Sequence, residues 1–116
     1  MHYQAQPFAE TKLVRCIAGR IFDVVVDLRP ESITRGQWLA FELDADEGQS
    51  LYIPEGIAHG FQALEDNCDV QYQITPSFVS GHGRGVRWND PAFGIEWPID
   101  VAVISDRDAN YEDWRP

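Results

Sequence analysis

The apolar residues of this chain repeat with a period of two, and turn signals interrupt them about every ten residues. "RIFDVVVDL" sets Phe22, Val24 and Val26 on one side and Asp23, Val25 and Asp27 on the other. "QWLAFELD" sets Trp38, Ala40 and Glu42 against Leu39, Phe41 and Leu43. "DVQYQITP" aligns Val70, Tyr72 and Ile74. This is strand periodicity, and no segment shows the 3.6-residue period of a helix. Short strands at such spacing predict an all-β sandwich or barrel. The breaks agree: Ala18-Gly19-Arg20, "RPESITRGQ", "ADEGQS", the Pro-Glu-Gly of "LYIPEGIAHGFQAL" and the glycine-rich "SGHGRG". The polar tail "SDRDANYEDWRP" suits a short turn or helix over one end.

The 116 residues fit one domain over 1–116 with one continuous core. A net charge of -10 argues against nonspecific nucleic-acid binding. Eight of the nine basic residues are arginine, so a small anionic ligand is open wherever arginines converge. No run approaches the ~20 apolar residues of a membrane helix. No charged start followed by an apolar core marks a signal peptide, which predicts a cytoplasmic protein. Cys16, in the alternating "LVRCI", reads as a small buried hydrophobe, and nothing in the context supports a disulfide with Cys68.

Residue by residue, the chemistry is modest. His59 follows a tight turn and precedes Gly60, where backbone can approach a ligand closely. His82 reads as a solvated loop residue. His2, His59 and His82 form no His-x-His pair, which argues against a metal centre. Lys12 begins a β-rich run with Val14 and Cys16 on its face, at the mouth of a barrel. Tyr72 faces an apolar interior with a phenol that needs a partner. The Asp23 and Asp27 face of its strand reads as the one that meets solvent.

The order of these residues resembles one family. "HYQ", "KLVRC", "GRIFDVVVDLR", "GQW", "LYIPEGIAHGF", "QY", "GVRWNDP" and "GIEWP" together look like the dTDP-4-dehydrorhamnose 3,5-epimerases, over roughly Met1 to Asp108. The resemblance implies a jelly-roll β-barrel of the cupin type without a metal, and no cofactor. It implies inversion at C3 and/or C5 of a dTDP-4-keto-6-deoxyhexose through an enolate, in deoxysugar biosynthesis of the dTDP-rhamnose type. His2 then matches the base, Asp108 the carboxylate that pairs with it, Lys12 the enolate-stabilising cation and Tyr72 the proton donor on the far side. His59 matches a second site histidine, Asp23 a carboxylate that orients His59 or Lys12, and Gln4, in the base's own motif, a substrate-binding or orienting residue. A homodimer is implied as well.

The chain also departs from the family pattern. The family carries roughly fifty more residues ahead of its histidine, with an Arg-Gly-Phe-like motif that reaches into the neighbouring subunit's site and holds the nucleotide diphosphate. The expectation is therefore a barrel short of two edge strands and of a phosphate-binding arm. Ser77 and Phe78 stand where paired tyrosines are frequent. The competing expectation is a non-catalytic barrel that binds a sugar nucleotide or assembles with a longer relative.

Overall fold

Gly19 turns the chain from one sheet into the other. It stands between β2 (Thr11–Ala18) and β3 (Arg20–Asp27) with φ +75°, a region that costs glycine little. A side chain there would also strike Cys68 Sγ. The computed structural model describes all 116 residues. The remaining strands are β1 (His2–Gln4), β4 (Trp38–Asp44), β5 (Ser50–Ile53), β6 (Ile57–Ala63), β7 (Asp69–Thr75) and β8 (Gly83–Gly85). One short helix, α1 (Asp106–Ala109), lies in the tail, with Ser105 accepting from the Asp108 N–H as its N-cap. The expected all-β jelly roll is the fold observed.

The five-stranded sheet runs β4-β3-β6-β1-β8 and the three-stranded sheet β5-β2-β7, with every pairing antiparallel. Directly opposed residues share a face of a sheet. In the small sheet Lys12, Val14 and Cys16 lie opposite Ile74, Tyr72 and Val70 and point inward, while Leu13, Arg15 and Ile17 point out. In the large sheet His2 opposes His59, His59 opposes Val25, and Phe61 opposes Asp23. These residues form its inner face.

The outer face of the large sheet is also covered. Val24, Val26, Ala58 and Met1 pack against Val86 and Phe93, with Trp97 and Trp114 against the same cluster. The "RWNDPAFGIEWP" segment makes that cover. Asp90 is buried and accepts from the backbone N–H groups of Ala92 and Trp114 at 2.9 and 2.6 Å. Trp97 Nε1 donates to the Trp88 carbonyl at 2.8 Å. A second cluster, Cys16, Ile21 and Leu43, fills the space between the sheets at the Gly19 end. Both cysteines are free thiols.

Two expectations need correction. The Asp23 and Asp27 face does not meet solvent, because it looks into the space between the sheets and both residues are buried. Asp27 survives burial by accepting from the Arg29 N–H, from its Nε and Nη2, and from the Ser32 and Thr34 hydroxyls, at 2.6 to 3.0 Å. The Arg29 guanidinium holds the Asp27 carboxyl far below the usual carboxylate range. Tyr72 does face inward, but not into a closed core. It is 41% exposed, because the space between the sheets opens at β7.

Candidate active site

The two sheets enclose an open cleft of about 1360 Å³, lined by His2, Gln4, Lys12, His59, Tyr72 and Asp108 among others. His2 and His59 come from adjacent strands of the large sheet, and Lys12 and Tyr72 from adjacent strands of the small one. The four therefore stand on facing walls. Asp23 lies behind His59 rather than on the wall itself.

α1 brings Asp108 to His2. Its Oδ1 accepts from His2 Nε2 at 2.5 Å, across 106 residues of sequence. The pair is half-open, with side chains 41% and 26% exposed. Burial pulls the His2 pKa below the ordinary 6.5, and the hydrogen bond that His2 donates to Asp108 opposes that shift. Desolvation is the largest single influence on Asp108 and acts upward, but the bonds with His2 and Ser105 and the nearby positive charges together hold its carboxyl below the ordinary value. With Nε2 committed to the carboxylate, Nδ1 is left as the nitrogen that can take a proton.

Lys12 is buried, although an ammonium at a strand end usually meets water. Nζ lies 3.2 Å from Glu10 Oε1 and donates to the His2 carbonyl at 3.2 Å. Sequence reasoning missed Glu10. The signal was present, since Glu10 stands two residues before Lys12, which is the strand period.

His59 and Asp23 form a second pair, Nε2 to Oδ1 2.6 Å, with side chains 4% and 0% exposed. The distance is that of an ion pair, but the ring N–H is not aimed along it. Both Asp23 oxygens and His59 Nε2 lack an aligned hydrogen bond within the chain. The Tyr72 ring stands edge-on to His59 with centroids 5.9 Å apart, and Phe61 flanks both. Burial, with a smaller contribution from the Asp23 charge, pushes the Tyr72 phenol up to about 12.

Gln4 reaches the cleft wall, yet its amide is spent on backbone. Nε2 donates to the Phe8 carbonyl at 2.6 Å, and Oε1 accepts from the Val79 N–H at 2.9 Å. It ties the entry to β2 to the segment after β7. His82 stays apart from the site, with its ring edge-on to Phe8. No three His, Cys, Asp or Glu side chains converge as metal ligands would.

Two facing antiparallel sheets with a side-chain-lined cleft between them define a cupin-like jelly roll. The chain belongs to the dTDP-4-dehydrorhamnose 3,5-epimerase family, whose family model matches residues 1–115. It is 43% identical over 111 residues to a dTDP-4-dehydrorhamnose 3,5-epimerase of Sinorhizobium fredii, covering 95% of this chain and 57% of that protein. The same identity holds over 110 residues with the Shigella flexneri protein of that name, covering 95% and 61%. Among solved structures, the Bacillus anthracis enzyme with TDP and pyrophosphate bound superposes with TM-score 0.94 at 39% identity, covering 97% of this chain and 65% of that one. A 3'-monoepimerase of Streptomyces bikiniensis in complex with dTDP-quinovose gives TM-score 0.90 at 33% identity, covering 97% and 57%. The chain thus spans about three fifths of the length of the curated relatives it matches.

Proposed function

We propose that this chain carries the proton-transfer centre of an epimerase that inverts C3 and/or C5 of a dTDP-4-keto-6-deoxyhexose. The observation that carries the reading is the opposition across one cleft of a carboxylate-held histidine and a tyrosine whose phenol stays protonated. Family membership supports the substrate class, and relatives solved with dTDP sugars support the nucleotide.

The chemistry follows from the side chains. Neutral His2 takes the proton from the carbon beside the ketone, and its C–H electron pair moves into the enolate. Asp108 holds the imidazole in one tautomer and balances the imidazolium that forms. Lys12 offers the enolate oxygen a positive charge in a site of low dielectric. Tyr72 returns a proton to the opposite face of the carbon, and its oxygen regains one from solvent as His2 loses its own. A phenol near 12 remains the acid form at neutral pH, as a donor must. His59 lines the cleft beside Tyr72, and Asp23 behind it orients the imidazole toward the sugar. Gln4 braces the wall that carries His2.

The test is incubation of the chain with the dTDP-4-keto-6-deoxy sugar in heavy water. Deuterium should enter at C3, at C5, or at both. Binding without any deuterium uptake would overturn the epimerase reading. It would favour a sugar-nucleotide-binding barrel. The homodimer and the cytoplasmic setting belong to the same proposal, and sedimentation of the chain tests the first.

A further inference from the structure

Tyr111 plays no part in the chemistry above, yet it touches the proposed base. It follows α1, lines the cleft, and stands edge-on to the His2 imidazole with centroids 6.2 Å apart and planes at 68°. Beneath its ring lies Gly85 of β8, the residue that opposes His2 in register. A methyl group on Gly85 would overlap three atoms of the Tyr111 phenol. The ring thus occupies the volume of a side chain at position 85, on the strand that flanks His2. Its backbone is anchored independently: Arg87 Nη1 donates to the Tyr111 carbonyl at 3.2 Å, while Arg87 Nη2 pairs with Asp113.

We propose that Tyr111 is a positioning residue for His2: seated in the notch left by Gly85, its ring screens the imidazole from water and keeps it on Asp108. This deepens the reading of His2 as the base. The other charged or titratable groups that face His2 are Asp108 and Arg107 of α1, the Met1 amino group, Lys12 of β2 and His59 of β6. None of these changes when Tyr111 is replaced. Burial is the larger of the influences on the imidazole, so thinning its cover has a defined sign.

The experiment is an NMR titration of the histidine rings in the full chain, with the His2 signal assigned from His2→Asn. Tyr111→Ala should raise the His2 pKa toward 6.5 by about half a unit or more, while His82 stays put. Tyr111→Phe should leave His2 where it is, because the ring does the screening. Gly85→Ala should reproduce the Tyr111→Ala shift by displacing the ring. The double variant should shift no further than either single one, since both remove the same contact. If Tyr111→Ala fails to fold, Tyr111→Leu should give a smaller rise of the same sign. An unmoved His2 titration in a folded Tyr111→Ala or Tyr111→Leu chain overturns the proposal, as does a shift in Tyr111→Phe equal to that in Tyr111→Ala. This readout needs no turnover. A chain that exchanges no deuterium while showing these shifts would remove the base role from His2 and leave the seating by Tyr111 intact.

Discussion

The molecule contains two histidine–aspartate pairs of nearly equal length and opposite setting. His2–Asp108 joins the first strand to the tail helix at the rim of the cleft, half-open and aligned. His59–Asp23 joins two neighbouring strands of one sheet, sealed from water and misaligned. A group that must give and take protons needs a path to solvent. Half-open His2 has one, and its position on a short edge-side strand costs the core little. A sealed carboxylate–imidazole pair is suited to fixing a wall, because moving a charge there is expensive. The same two residue types thus suit the proposed chemistry in one place and shape in the other.

The largest effect that separates the pairs is on exchange. His2→Asn should lower deuterium uptake from heavy water about 10³-fold while changing unfolding free energy by less than about 1 kcal/mol, as fits a half-exposed pair. Mass spectrometry of the sugar and a urea melt read the two numbers. Asp23→Ala should do the reverse in emphasis. It leaves a buried imidazole without its neighbour and should cost about 3 kcal/mol of stability in the same melt. If the two variants lose stability equally, the contrast drawn here is wrong.

Tyr72→Phe should sharpen the division of labour across the cleft. Proton removal by His2 persists, so solvent exchange remains measurable, while inversion falls about 10²-fold. Proton NMR coupling constants of the product distinguish the two. Loss of exchange and inversion in parallel would count against the facing-wall assignment.

The smallest effects are in pH. Because burial lowers His2, the acid limb of exchange should lie below 6.5. Asp108→Asn removes the influence that raises His2, so the limb should move to still lower pH even as the rate at neutrality drops. Stability follows the same sign. A base whose folded pKa is depressed contributes stability above its unfolded value and loses it as pH falls through the folded one. A pH series of melts in the wild-type chain checks this, and a limb above 6.5 would contradict it.

Period-two alternation was enough to find β2, β3, β4 and β7 and the inner face that carries Lys12 and Tyr72. It could not say what a face meets, which is why Asp23 and Asp27 read as solvent-facing. Alternation assigns residues to sides, whereas burial of a side depends on what the distant chain lays over it. Here residues 86–97 cover one side of β3 and the small sheet covers the other. His2 and Asp108 were legible only through resemblance, since 106 residues separate them and no local signal joins them. Tyr111 was not legible at all. Its fit depends on the lack of a side chain at Gly85, and a glycine in a loop-like "SGHGRG" context reads as a turn.

β3 is covered on both sides, and this has a consequence for how such a chain can change. Its odd positions, among them Asp23, lie on the inner side of the sheet behind the cleft wall, while Phe22, Val24 and Val26 hold the cover segment. The pleat therefore divides heritable variation into two independent registers. Substitutions at one parity disturb the buried layer that supports His59 from behind, and substitutions at the other alter how firmly the barrel is backed. Either layer can thus vary while the other keeps its packing.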